Sequence, residues 1–125
     1  MKRLLVIDPD RTAAQELGLA CLERGVGAVL AEGLCDGVRA LLATAVDAIV
    51  ADAAALRLTP REHATLFQRV AEGVPVVVTV RPEASLDTRV ALELAGFCVL
   101  AKPVAVEDLI HKVIPEAKIM PEARG

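Results

Sequence analysis

Residues 93–104 read ELAGFCVLAKPV, and this stretch decides the fold because a helix, a strand and a turn follow one another within it. Gly96 is a typical helix stop, and FCVLA (97–101) is a short, continuous apolar run of the kind found in buried strands. Lys102-Pro103 ends that run, and a new helical pattern follows from Val106 to Val113. A buried strand between two helices indicates a parallel sheet covered by helices.

The same alternation extends back to the start of the chain. Strands are predicted at LLVI (4–7), VGAVLA (26–31), DAIVAD (47–52) and PVVVTV (75–80), with helices over 10–24 and 36–45, from Thr59 to Gly73 and from Ser85 to Gly96. The order βαβαβαβαβα predicts parallel strands joined by right-handed crossovers, with helices on both faces. We expect one domain over 1–115 and a tail over 116–125.

The helical patterns also predict caps and buried faces. Thr59, Pro60 and Glu62 match a capping box with proline at the first helical position. Two inward faces are predicted from the phase of the apolar residues, one made of Val38, Leu41, Leu42 and Ala45 and the other of Leu86, Val90, Ala91 and Leu94.

Composition excludes several classes of protein. The 125 residues are 54% hydrophobic and 25% charged, which favours one folded domain over a disordered chain. Phe67 and Phe97 are the only aromatic residues, and the net charge is −3, so neither base stacking nor a basic stripe for nucleic acid is available. The apolar runs are too short to span a bilayer. We therefore expect no nucleic-acid or membrane partner.

Cysteine and histidine give no metal motif. Cys21, Cys35 and Cys98 are an odd number with no close pair, so we expect small buried residues in a reducing, cytoplasmic compartment. His63 and His111 have no cysteine or histidine at metal-ligand spacing, so surface or helix positions are expected for both.

Polar residues follow the strands at one end of the predicted sheet, and the carboxyl ends of parallel strands are where such sheets bind ligands. They are Asp8 and Asp10, Glu32, Asp52, Thr79 and Lys102. Clustered carboxylates favour a cation, and oxygen ligands suit Mg²⁺. A carboxylate such as Asp52 can attack phosphorus, while Thr79 and Lys102 can bind phosphoryl oxygens. The sequence thus predicts phosphoryl chemistry at this edge.

The chain resembles a receiver domain of bacterial two-component response regulators over about residues 3–114. The resemblance rests on LLVIDPD (4–10), DAIVAD (47–52), PVVVTV (75–80) and ELAGFCVLAKPV (93–104). It implies a flavodoxin-like (βα)5 α/β sandwich with strand order 2-1-3-4-5, and a signalling module rather than an enzyme. The Lys102–Pro103 bond is often cis in the family.

The resemblance also implies roles and partners. Asp52 would accept a phosphoryl group from a histidine kinase or a phosphotransfer protein, and Asp8, Asp10 and Asp52 would hold Mg²⁺. Thr79 and Lys102 would grip the phosphoryl oxygens and couple them to the face formed by helix 4, strand 5 and helix 5, through which a homodimer could form.

The chain departs from the family at four places. Pro9 stands where the family has its second acid, and AAALRLTPRE (53–62) lacks the usual Pro and Asp-Gly. Branched Val80 replaces a small residue, and Val99 stands near the place of the strand-5 aromatic. These departures predict weak or absent Mg²⁺ binding, a small conformational response, and either slow phosphorylation or an unphosphorylated interaction module.

A second interpretation is a haloacid-dehalogenase-like phosphatase. VIDPDRT (6–12) contains that family's D-x-D-x-T motif, in which Asp8 would be the nucleophile and Asp10 the acid/base. Against it, the chain is short for that fold, no paired acids follow a later strand, and Asp52 would have no role.

Overall fold

Five strands and five helices alternate through residues 2–113, the part of the chain that the computed structural model describes. They are β1 (Lys2–Ile7), α1 (Arg11–Leu22), β2 (Val26–Ala31), α2 (Leu34–Ala43), β3 (Ala48–Asp52), α3 (Pro60–Val70), β4 (Val76–Val80), α4 (Leu86–Leu94), β5 (Cys98–Ala101) and α5 (Val106–Val113). The predicted order is confirmed. The predicted domain limit at 115 and the tail over 116–125 lie outside the described residues.

The strands form one parallel sheet in the order β2-β1-β3-β4-β5. The chain runs outward from β1 to β2, and then returns past β1 to continue through β3, β4 and β5. The crossovers therefore reverse direction between β1 and β3, and helices cover both faces. The predicted flavodoxin-like α/β sandwich is confirmed, and its switch point lies where β1 and β3 end.

Alternate residues of each strand enter two separate hydrophobic cores, because successive side chains of a strand point to opposite faces. Ile49 and Ala51 of β3 join the core under α2, α3 and α4, which also contains Phe67 and Leu92. Ala48 and Val50 join the core under α1 and α5. Since both faces are covered, every residue of β3 is buried.

Local hydrogen bonds fix where the helices begin. The predicted capping box is present: the Thr59 hydroxyl accepts from the Glu62 N–H, and the Glu62 carboxylate accepts from the Thr59 N–H. Asp10 caps α1 by accepting from the Ala13 N–H, and Ser85 caps α4. These caps satisfy helix N–H groups that would otherwise lack a partner.

The predicted inward face of α4 is wrong, and that of α2 is right in part, since Leu41 packs against the core while Leu42 and Ala45 are exposed. Leu86, Val90 and Leu94 are exposed, with Leu94 83% accessible, and α4 instead buries Leu92. Leu92 packs in the core with Phe67 and Phe97, and the more apolar face of the helix is left outward. On α2, which starts and ends two residues earlier than predicted, Leu42 is exposed and Gly37 is buried.

Three further observations concern the sequence predictions. Cys21 is buried as expected, but Cys35 is exposed in the first turn of α2, so the prediction of burial is wrong there.

The Lys102–Pro103 bond is cis, as the resemblance implies. Within residues 2–113, every helix falls short of the length and apolarity needed to cross a membrane.

We expect Gly37→Ala to reduce the free energy of unfolding by about 1 kcal/mol. A Cβ at Gly37 would lie 2.5 Å from Cδ1 and 2.9 Å from Cγ1 of Ile7, which is fully buried. Overpacking of this kind costs about 1–3 kcal/mol, which the better helix propensity of alanine offsets in part. Urea denaturation measures the change.

Gly18→Ala on α1 is the matched control, because its Cβ would meet Ala28 and Leu30 at an ordinary 3.5 Å. Without a clash, this substitution should stabilise the protein by about 0.5–1 kcal/mol through helix propensity alone. Equal effects of the two substitutions would contradict the close packing of α2 on Ile7.

Candidate functional site

Strand register brings the predicted acidic and hydroxyl side chains together. Asp52 pairs with Thr79 across β3 and β4, and Ile7 pairs with Ala51, so Asp8 follows β1 at the level of Asp52. Alternation places all three side chains on the α1/α5 face, since their neighbours Ile7, Ala51 and Val78 belong to the opposite core. Asp8, Asp52 and Thr79 are buried there.

Both oxygens of the Asp52 carboxylate accept hydrogen bonds. The Thr79 hydroxyl donates to Oδ1 over 2.9 Å, and the Ala54 N–H donates to Oδ2 over 3.0 Å. The latter bond caps a short 3-10 turn (Ala53–Ala55), which follows β3 directly. The side chain is thereby held in one orientation at the sheet edge.

Lys102 joins the two acids. Its Nζ lies 2.8 Å from Asp52 Oδ1 and 2.9 Å from Asp8 Oδ2, and its backbone N–H donates to the carbonyl of Val80, the last residue of β4. The other Asp8 oxygen accepts from the Asp10 N–H over 2.8 Å. One ammonium therefore neutralises part of the charge of two carboxylates from different strands.

The ion pair shifts the protonation of its members. Burial disfavours the charged form of Asp52, but hydrogen bonds from Lys102, Ala54 and Thr79 outweigh it and lower the pKa of that carboxyl. Burial also opposes the charge on Lys102, but contacts with Asp52 and Asp8 raise the pKa of the amine above its usual value. Both groups are therefore charged at neutral pH.

Asp10 and Glu32 are separated from this cluster by their contacts. The Asp10 carboxylate accepts from the Ala13 N–H over 3.1 Å as the cap of α1, although the residue borders the open space beside Asp52. Glu32 is exposed and pairs with Arg11. The structure thus brings together Asp8, Asp52, Thr79 and Lys102, and leaves Glu32 outside.

The oxygen ligands available around Asp52 determine whether Mg²⁺ can bind there. Pro9 supplies no side-chain oxygen, Asp10 is engaged as a cap, and Lys102 lies between the two remaining carboxylates. Among residues 2–113, no group of three or more histidine, cysteine or acidic side chains is arranged to hold a metal ion. The described arrangement does not form a three-carboxylate magnesium site, and Mg²⁺ binding by Asp8, Asp10 and Asp52 stays a prediction.

A hollow of about 560 Å³ opens beside the cluster. Its floor is Val6 and Val50 of the sheet, and its walls are one face of α1 and the segment after β5, including Leu17 and Val104. The branched side chain of Val80 is packed in the opposite core and does not line this hollow. The Asp52 carboxylate can therefore be approached from the α1 side.

Two contributors to the site were missed by sequence reasoning. The Ala54 N–H is a backbone donor, and no residue type signals it; only the position directly after a strand-ending aspartate does. The second contributor is the apolar wall of α1, where Ala13, Leu17 and Ala20 line the hollow. Apolar spacing does not distinguish residues that line an open hollow from residues that pack in a core.

Solved structures share this fold. A two-component response regulator from Clostridium difficile has a TM-score of 0.80 at 20% identity, covering 96% of this chain and 98% of that one. A CheY-like receiver domain protein from Methanospirillum hungatei has a TM-score of 0.78 at 21% identity, covering 100% and 99%. A Burkholderia pseudomallei response regulator, with a phosphorylated aspartic acid, calcium ion and citrate, has a TM-score of 0.79 at 21% identity, covering 98% and 73%.

Sequence comparison points the same way. The chain is 31% identical over 117 residues to the transcriptional regulatory protein GlrR of Escherichia coli K12, covering 91% of this chain and 26% of that protein. QseF of Escherichia coli O157:H7 matches to the same extent, so the chain spans about a quarter of the length of these relatives. No family model matches. The resemblance stated from the sequence is confirmed, and these comparisons give the phosphatase alternative no support.

We expect Lys102→Met to lower the free energy of unfolding at about pH 7 by about 2 kcal/mol. The substitution leaves two buried carboxylates without their cation, and the cost is below that of a fully buried pair because the Lys102 side chain is 30% exposed. Exposed Lys112 on α5 gives the control, Lys112→Met, with almost no change.

The loss should shrink as the pH falls. The lowered pKa of Asp52 stabilises the native protein above the usual carboxyl value of about 3.9, and this contribution disappears as the pH drops through the lower native value. Urea titrations between about pH 7 and pH 3 measure it. A pH-independent loss would show that Lys102 acts by packing rather than by charge.

Proposed function

We propose that the chain is a receiver domain of the response-regulator type, in which Asp52 accepts a phosphoryl group from a phosphohistidine of a histidine kinase or phosphotransfer protein. In this reaction a carboxylate oxygen of Asp52 attacks phosphorus and forms an O–P bond, while the P–N bond breaks and its electron pair returns to the imidazole. The product is an acyl phosphate.

One observation carries this proposal: Thr79 and Lys102 both contact the same oxygen of Asp52, at 2.9 and 2.8 Å. A hydroxyl and an ammonium so placed are the groups that a phosphoryl on that oxygen requires, since it adds a charge of about −1.5 to −2. The hollow beside α1 leaves room for a donor to reach the carboxylate.

A divalent cation would assist this transfer by offsetting the added charge, and the Burkholderia neighbour contains a calcium ion. Here Lys102 already lies against Asp8 and Asp52, and Pro9 removes a ligand, so we propose that a cation binds weakly and that phosphorylation is slow. The same observation favours a second candidate function, an interaction module that works unphosphorylated with Lys102 as its internal cation. In both cases the domain signals by binding rather than by turnover, in the cytoplasm.

Treatment with a small-molecule phosphodonor and Mg²⁺ should add one phosphoryl group to the protein, detected by intact-protein mass spectrometry. Asp52→Asn should abolish the addition because it removes the nucleophilic oxygen, whereas Asp8→Asn should slow it without abolishing it. Beryllofluoride should bind to the wild type and not to Asp52→Asn.

The outcomes separate the candidates. No modification and no beryllofluoride binding at any Mg²⁺ concentration would favour the unphosphorylated interaction module. Loss of modification in Asp8→Asn, with full modification of Asp52→Asn, would instead favour the phosphatase mechanism.

We also propose a homodimer through α4, β5 and α5. An exposed apolar row runs along α4, made of residues four positions apart: Leu86, Val90 and Leu94. Beside it, Asp108 and Lys112 of α5 present charges of both signs around Leu100 of β5. An apolar strip with mixed charges beside it is self-complementary, as a twofold interface requires.

Leu94→Glu should weaken this dimer at least tenfold, because about 1.4 kcal/mol of lost apolar burial is a factor of ten in the dissociation constant. Sedimentation equilibrium of the purified protein measures it. Leu42→Glu on α2 is the control, since Leu42 is similarly exposed at 72% but outside this face. Monomeric wild-type protein at millimolar concentration, or equal weakening by both substitutions, would contradict the proposed interface.

A further inference from the structure

The imidazole of His63 is fully buried on α3 and belongs to no part of the site described above. Its Nε2 accepts a hydrogen bond from the Leu58 N–H over 2.8 Å. The ring stacks on Phe67 with centroids 6.4 Å apart, and Phe67 in turn meets Phe97 edge to face. Histidine is therefore fixed against the core at the base of the loop that leads into α3.

That loop, residues 53–59, connects Asp52 to α3 and is held at both ends. At its start the Ala54 N–H donates to the Asp52 carboxylate, and at its end the Leu58 N–H donates to His63. Thr59 then begins the capping box of α3. A change in the hydrogen bond at Leu58 thus acts on the segment that orients the carboxylate.

The hydrogen bond fixes the protonation state of the ring. Because Nε2 accepts, the neutral ring carries its proton on Nδ1, and Nδ1 is buried without a hydrogen-bond partner in the described part of the chain. A proton added to Nε2 would face the Leu58 N–H, so that two donors would point at each other. The protonated ring is therefore incompatible with the observed loop.

We propose that His63 is a positioning residue for the Asp52 segment: its neutral imidazole holds loop 53–59 through Leu58, and its protonation releases the loop. The inference rests on the proposed function in so far as the loop orients a phosphoacceptor. The hydrogen bond itself does not depend on that function.

The surroundings of the ring set the direction of the pH effect. Burial lowers the pKa of His63, and Glu62 of the same helix opposes this by favouring the protonated ring. Within residues 2–113, no charged group of another element contributes to the shift. A native pKa below the usual value of about 6.5 means that the unfolded chain takes up the proton first, so the loop is held above about pH 6.5 and is progressively loosened below it.

Two substitutions distinguish the role of His63 as a hydrogen-bond acceptor from its role in packing against Phe67. His63→Gln places an amide oxygen where Nε2 lies and does not titrate, whereas His63→Phe keeps an aromatic ring against Phe67 and accepts nothing. Both are tested in the full chain, after circular dichroism shows that each folds.

The measurement is the hydrogen-exchange protection of the Leu58 and Ala54 amides by NMR, corrected for intrinsic rates, from about pH 8 to pH 5. In the wild type we expect protection to fall at least tenfold as His63 titrates, which corresponds to one pKa unit of coupling. His63→Gln should be protected at every pH, and His63→Phe should be weakly protected at every pH.

Beryllofluoride affinity of the same three proteins at about pH 7.5 then tests the link to Asp52. His63→Gln should bind within about twofold of the wild type, and His63→Phe several-fold more weakly. If none of the three binds, phosphorylation of Asp52 fails as a proposal, and the exchange data still decide the role of His63. Wild-type protection that is unchanged while His63 titrates, or a His63→Gln variant that shows the same pH dependence, would overturn the inference.

Discussion

The contact of one ammonium group with two carboxylates is the interaction on which the site depends. Asp8 and Asp52 end adjacent strands on the same face of the sheet, where burial makes two unshielded negative charges costly. Lys102 offsets that cost from a third position, anchored by its backbone to the end of β4. The three groups come from the ends of β1 and β3 and from the segment after β5. Lys102 therefore contacts both carboxylates only when the sheet is assembled in this order.

The same contact explains how the protein can combine a preserved fold with an altered pocket. Where three carboxylates surround a site, a bound cation also offsets the repulsion between them, in addition to its part in the chemistry. Here Pro9 stands where the resemblance implies a further acid, and within residues 2–113 Lys102 supplies the positive charge against Asp8 and Asp52. Pro9 therefore bears on metal binding, whereas the contacts of Asp52 with Thr79 and Lys102 are in place.

Most of the fold and the centre of the site could be predicted from the sequence. Strands such as PVVVTV (75–80) are short continuous apolar runs, and the capping box at Thr59 is set by neighbours in sequence, so both are local signals. The convergence of Asp52, Thr79 and Lys102 followed from their positions at strand ends. The outward face of α4 could not be predicted, because apolar spacing shows that a helix has a face but not which way it points. The burial of His63 depended likewise on the loop that packs over it.

The alternation of side chains along the strands has a mechanical consequence. Asp8, Asp52 and Thr79 look toward α1 and α5, whereas α2, α3 and α4 rest on the other side of an unbroken layer of main chain. An event at the carboxylates has no direct passage through that layer to the far helices. The effect of such an event must instead pass through the loops that follow β3 and β4 at the edge of the sheet. The connecting loops of the sheet are thus the parts that link the two sides.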